Sequence, residues 1–175
     1  MKIRTYHHRI LIILIFFILP AQATEILVGF SPGNSASNII LNAINEAHHK
    51  IDMAVYSFTS KPISIALLEA IKRGVKIRII ADEKANHDKY TAITFLVNHG
   101  VSIKLNRHYT IMHNKFIIID ENSIQTGSYN YTSAAAKHNA ENVIFIKDAL
   151  EIALQYTNEF NRLWKESTII LQPKY

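Results

Sequence analysis

Ile51-Asp52-Met53-Ala54-Val55-Tyr56-Ser57-Phe58 is an apolar, aromatic-tipped run of strand length, and Val75-Lys76-Ile77-Arg78-Ile79-Ile80-Ala81 is a second one. Between them, Pro62 opens a stretch in which Ile63, Ala66, Leu67, Ala70 and Ile71 recur at helical spacing, and Gly74 stops it. Strand, helix and strand with short connections predict a parallel crossover unit. Upstream, Ile26–Phe30 reads as a short buried strand. The turn Ser31-Pro32-Gly33-Asn34-Ser35 follows, then a helix over roughly 35–49 carrying Ile39, Ile40, Ala43, Ile44 and Ala47 on one face. Downstream come a helix around 88–98, stopped by His99-Gly100, and a strand at Val101–Leu105. This alternation predicts an α/β fold: a mixed, largely parallel central sheet flanked by helices. The second half changes character. Lys115–Asp120 and Ser123–Thr126 read as a hairpin, Thr132–Lys137 as a short helix and Val143–Ile146 as a strand. Ala149–Trp164 reads as a long amphipathic helix with Phe160 and Trp164 facing the core.

The first 23 residues stand apart. Lys2, Arg4 and Arg9 precede an unbroken apolar run from Ile10 to Leu19, Pro20 breaks it, and Ala21-Gln22-Ala23 supplies small residues where a signal peptidase reads. Ten apolar residues fall short of the about 20 that a spanning helix needs. The expectation is therefore a signal peptide at 1–23 and one domain at 24–175, periplasmic or secreted, with no stable membrane association once the signal is cleaved. Without that segment and its three basic side chains the net charge falls from +5 to +2, which neither requires nor excludes a nucleic-acid partner. The chain has no cysteine, which rules out disulfides, thiolate catalysis and cysteine–zinc sites. The 49% hydrophobic content suffices for one full core.

The chemistry concentrates in His113-Asn114-Lys115, four residues, Asp120, six residues, then Gly127-Ser128-Tyr129-Asn130. His113 and Lys115 are two apart at a strand start, so both side chains leave the same face. An imidazole beside an ammonium is a poor structural pair unless a phosphate lies between them. Lysine then supplies charge to the non-bridging oxygens, while histidine attacks phosphorus or moves protons. Asp120 has the opposite strand parity and is expected to hold the scaffold. Gly127 permits a tight turn, and Ser128 and Asn130 after it can close a cradle around the same phosphate. Two other His-x-Lys triplets, at 48–50 and 87–89, lack an aspartate at this spacing.

These residues resemble the HKD signature of the phospholipase D superfamily, H-x-K-x4-D-x6-G-S-x-N, at every specified position. Tyr56-Ser57-Phe58-Thr59, the Arg73-Gly74-Val75 run and Ala140-Glu141-Asn142 are similar to the small exported bacterial endonucleases of that superfamily. The resemblance implies that His113 is a nucleophile forming a phosphohistidine, that Lys115 and Asn130 bind phosphate, and that Ser128 supports the cradle. It implies that Glu141 orients the catalytic histidine and that no metal ion or other cofactor takes part. It also implies a second histidine that protonates the leaving oxygen. Larger members carry two motifs and this chain carries one. Attacking and protonating groups must lie on opposite sides of phosphorus, so the expectation is a homodimer with one composite active site built from two copies of His113.

Lys104, Arg107, His108 and Tyr109 lead toward the motif and suit contact with a nucleic-acid backbone and a stacked base, or equally an exposed loop. The loop at 84–89 is a weaker candidate of the same kind. His48, His49, His87, His99, His108 and His138 fit no metal-ligand spacing. Three functions use this chemistry or part of it. The first is a metal-independent, nonspecific endonuclease on DNA or RNA. The second is a phospholipase D acting on head groups, which an apolar rim would favour, though no exposed apolar loop is read near the motif. The third is a non-catalytic nucleic-acid-binding module, which has no need of the nucleophile arrangement.

Overall fold

The computed structural model describes residues 24–87 and 91–170. The expected signal segment at 1–23 and residues 88–90, which take in the end of the 84–89 loop and the start of the expected 88–98 helix, lie outside these. The elements in chain order are β1 (Glu25–Ser31), α1 (Ser35–Glu46), β2 (Lys50–Val55), α2 (Lys61–Lys72), β3 (Lys76–Asp82), a 3-10 turn at Lys84–Asn86, α3 (Ala92–Asn98) and β4 (Ser102–Asn106). There follow β5 (Phe116–Ile119), β6 (Ser123–Gly127), α4 (Ser133–Lys137), β7 (Glu141–Lys147), α5 (Leu150–Glu166) and β8 (Thr168–Ile169).

The crossover units form as their periodicity requires. Pro62 sits in the first turn of α2, where its missing N–H costs nothing, and Gly74 leaves it at φ 90°. All eight strands join one sheet in the order β1-β7-β6-β5-β2-β3-β4-β8. Parallel pairing is confined to β2 with β3 and β3 with β4; β1–β7, β7–β6, β6–β5, β5–β2 and β4–β8 are antiparallel. The sheet is therefore mixed and flanked by helices as expected, but less parallel than the alternation in the first half suggests. The physical reason is the 5–6 hairpin, which inserts beside β2 and carries β7 outward, so that β1 adds antiparallel to β7.

Two apolar layers sandwich the sheet. α1, α2 and α3 cover one face over Met53, Ile79, Ile117 and Val143. α5 crosses the other over Ala54, Ile80, Phe116, Ile118 and Ile124, burying Ala153, Phe160 and Leu163. Phe160 is fully buried and stacks on half-buried Trp164. The reading of Ile26–Phe30 as a buried strand is corrected. β1 is an outer strand, and Ile26, Val28 and Phe30 are 61%, 52% and 60% exposed. Its apolar composition suits burial, but α5 lies over β2 to β6 and leaves this side of β1 open.

Asp120 marks the end of the sheet remote from the His-x-Lys segment. It follows β5 at φ 49°, and its carboxylate accepts the backbone N–H groups of His48 (2.8 Å), His49 (2.7 Å) and Lys50 (2.8 Å). Four-residue β5 separates it from Lys115 along the strand, beyond the effect of side-chain parity alone. Burial acts to raise its pKa, but the three amides outweigh it and hold the carboxyl below the ordinary 3.8. Because the folded-state value is depressed, the stabilisation is present above pH 3.8 and disappears as pH falls through the lowered value. Asp120→Ala should cost about 3 kcal/mol at neutral pH by urea unfolding, with the gap to wild type closing under acid.

Candidate active site

The register of the hairpin makes the site. Phe116 pairs with Thr126, so the antiparallel ladder carries Lys115 across from Gly127, and Gly127 in turn pairs with Val143 of β7. The His-x-Lys segment, the Gly-Ser-x-Asn segment and Glu141 thus converge on the edge where parallel strands β2, β3 and β4 end. In open α/β sheets ligands bind at that edge.

Two clusters build it. In the first, His113 is exposed and Lys115 is 8% exposed. The Lys115 Nζ donates to the His113 carbonyl at 2.7 Å and lies 5.3 Å from the centre of the Tyr56 ring. The same ring meets the His113 imidazole edge-on at 4.6 Å. Tyr56 therefore orders both members of the pair. Asn86 holds Tyr56 in turn: its Nδ2 donates to the Tyr56 carbonyl (2.6 Å) and the Asp82 carbonyl (2.9 Å), while its Oδ1 accepts from Phe58 N (3.0 Å). Buried Asp82 accepts from Met112 N at 2.7 Å and fixes the approach to His113.

In the second cluster, Ser128 Oγ donates to Glu141 Oε2 at 2.6 Å and accepts from Asn142 N (3.1 Å) and Nδ2 (3.2 Å). Asn139 Nδ2 donates to the other Glu141 oxygen at 3.0 Å. Gly127, at φ 150°, has no room for a Cβ, which would collide with the Asn142 carbonyl. Asn130 is half-buried, and its Oδ1 has no protein partner among the described residues. The Tyr131 carbonyl accepts from Thr59 N and Ser60 N, tying this turn to the exit of β2.

The electrostatics favour an anion. Burial pushes the Lys115 pKa below its ordinary 10.5, and the Glu141 carboxylate pulls it partly back. A part-desolvated ammonium held by a carbonyl and a ring face gains from an incoming phosphate, while the exposed imidazole stands free to reach phosphorus. Glu141 lies in the site, but its bonds go to Ser128 and Asn139. Among the described residues it makes no hydrogen bond to the His113 ring.

Asp120 stands at the far end of the sheet, as described above. Lys104, Arg107, His108 and Tyr109 fall into two groups. Lys104 Nζ donates to the Trp164 carbonyl at 2.8 Å and covers the Trp164 ring, and Tyr109 OH is bonded to Glu166 and Arg162. Both serve the C-terminal end of α5. Arg107 and His108 are exposed. Tyr56, Asp82, Asn86, Asn139 and Asn142 were not singled out as site residues from sequence. The Tyr56-Ser57-Phe58-Thr59 and Ala140-Glu141-Asn142 resemblances were the available signals for Tyr56 and Asn142, while Asp82, Asn86 and Asn139 are ordinary polar residues whose roles exist only in contact.

Residues 40–164 match the family described as cardiolipin synthase, PLD-like domain. A phospholipase D of Rickettsia conorii is 39% identical over 134 residues, covering 76% of this chain and 66% of that protein. The mitochondrial cardiolipin hydrolase of Homo sapiens is 30% identical over 138 residues, covering 79% of this chain and 54% of its own length. The chain thus spans just under two thirds of the first relative and about half of the second. Among solved structures, Nuc from Salmonella typhimurium, a phospholipase D family member, is similar with a TM-score of 0.83 at 33% identity, covering 85% of this chain and 99% of that one.

Since the ammonium of Lys115 gives up its proton below pH 10.5, inorganic phosphate should bind progressively more weakly as pH rises through that lowered value. Lys115→Met should weaken phosphate binding by about 100-fold, about 2.7 kcal/mol, and flatten this alkaline limb. Calorimetric titration across pH reads both.

Proposed function

This chain belongs to the phospholipase D-like family, and on that premise we propose that it is an exported, metal-independent phosphodiesterase acting as a nonspecific endonuclease on DNA, with RNA an open second substrate. The supporting observation is the hairpin register, which sets the His113–Tyr56–Lys115 cluster beside the Gly127–Asn130 turn and Glu141. Lys115 and Asn130 hold the non-bridging oxygens. A His113 ring nitrogen attacks phosphorus; the P–N bond forms as the P–O bond to the leaving nucleoside breaks. That oxygen takes its proton from the His113 of a partner subunit in a two-fold dimer. Water then attacks the phosphohistidine, gives its proton to the second imidazole, and releases a phosphate monoester with both histidines regenerated. Ser128 and Glu141 position the cradle. The similarity to Nuc over 99% of that chain and the full motif favour this reading, and the pattern of residues 1–23 supports export.

A second reading, a phosphodiesterase on phosphatidyl head groups by the same steps, draws on the relatives named phospholipase D and mitochondrial cardiolipin hydrolase and on the exposed apolar side of β1. Purified protein incubated with plasmid DNA, RNA and labelled phospholipid, with and without EDTA, separates the two. DNA nicking that survives EDTA is expected, and head-group release without nicking would replace the first reading by the second. His113→Ala should lower turnover by roughly 10⁴-fold or more while leaving the circular dichroism spectrum unchanged.

A further inference from the structure

A cleft of about 230 Å³ opens between α2 and α3, a few residues along the chain from the catalytic edge. Ile65 and Phe95, 45% and 41% exposed, supply its apolar lining, and Thr59, Lys61 and Thr91 add polar groups. The chemistry described above uses none of these side chains. Residues 56–60 join the two places. At their start Tyr56 meets His113 and Lys115, and near their end Thr59 lines the cleft. Three residues reach at most about 11 Å, so the cleft opens within the length of a few nucleotides from the reacting phosphorus. The junction is held firmly. Thr59 N and Ser60 N donate to the Tyr131 carbonyl, next to Asn130, at 3.0 and 2.9 Å. Ala92 N, at the start of α3, donates to the Phe58 carbonyl at 2.9 Å. Thr91 Oγ1 reaches the carbonyl of Asn86 at 3.5 Å, and Asn86 in turn holds Tyr56.

We propose that this cleft is a nucleobase subsite: a base of the substrate strand near the cleaved phosphate stacks on Phe95, and Lys61 meets an adjoining phosphate of the same strand. The inference rests on the nuclease reading and adds a binding site to it. The Phe95 ring is partly open to the cleft and is backed by the His99 ring, 4.4 Å away between centroids. Every base has a π-face, so stacking on an aromatic side chain holds a strand without selecting its sequence. The charge is also complementary. Lys61 makes no ion pair among the described residues, and the first turns of α2 and α3 carry no acidic residue. A phosphate arriving there meets a cation and no nearby helix-start carboxylate. The volume lies below the roughly 300 Å³ at which drug-sized pockets begin, which suits one planar ring system. An acyl chain is the poorer occupant, since it offers no charge to Lys61 and no polar edge to Thr59.

Steady-state cleavage of a short single-stranded thymidine oligomer, beside an abasic strand of the same length, tests it on wild type, Phe95→Ala, Phe95→Trp and Lys61→Met. Wild type should show a KM about 10-fold or more higher on the abasic strand. Phe95→Ala should raise KM on the thymidine strand by the same factor, leave kcat unchanged, and have no effect on the abasic strand. Phe95→Trp, which keeps a stacking face, should retain the wild-type KM. Lys61→Met should raise KM on both strands and flatten its salt dependence, because both carry phosphates. A Phe95→Ala enzyme with the wild-type KM on both strands, or with equal losses on both, overturns the subsite and leaves the nuclease reading standing. A wild type that cleaves neither strand and releases head groups from phosphatidyl vesicles overturns the nuclease reading and the subsite with it.

Discussion

Between β5 and β6 the backbone hydrogen bonds hold Phe116 opposite Thr126 and Ile119 opposite Ser123. Side chains alternate between the two faces of a strand, so a slip of one residue would send Phe116 and Ile118 away from α5 and carry Lys115 off the Tyr56 ring. The register is pinned from both ends. Asp120 fastens the end of β5 to the entry of β2 through three amides, and Gly127 admits the Asn142 carbonyl where no other residue has space. The aspartate and glycine of the motif thus act on the geometry of the hairpin, while the histidine, lysine, serine and asparagine act at its edge.

Around that hairpin the site is assembled by contacts from strands distant in sequence. Tyr56, directly after β2, touches both His113 and Lys115 with its ring, and Asn86 after β3 holds the backbone of Tyr56 and Phe58. Asp82 at the end of β3 fixes Met112. β7 brings Glu141, which Ser128 and Asn139 hold between them. Burying an ammonium costs several kcal/mol. Lys115 offsets that cost with a carbonyl, a ring face and a nearby carboxylate.

α5 performs the matching task on the opposite side of the molecule. Arg78 forms a two-pronged bond with buried Asp52 and reaches Asn161, while its guanidinium lies over Phe160 and Trp164. Lys104 and Tyr109, whose place just before the motif suited either nucleic-acid contact or an exposed loop, are drawn into the same region and anchor the last turn of the helix. The helix covers the middle of the sheet and leaves the outer strand bare, so one packing decision sets both the hydrophobic core and the exposed stripe.

The sequence by itself determined the elements and the chemical pair. Helical and strand periodicities placed the helices and most strands to within a few residues, because each element's apolar spacing is a local property. The His-x-Lys and Gly-Ser-x-Asn segments were likewise legible as one polar cluster, because each flanks a strand of the hairpin that the local apolar pattern marks. Only the tertiary structure decided that β1 joins antiparallel at the rim with Ile26, Val28 and Phe30 bare, that short Thr168–Ile169 adds beyond β4, and that Tyr56 meets His113 and Lys115. It also placed Glu141 on Ser128 and Lys104 under α5. An apolar strand reads the same whether a helix covers it or not, and a tyrosine's partners are chosen by which strands lie side by side, a property of the assembled sheet and of no single segment.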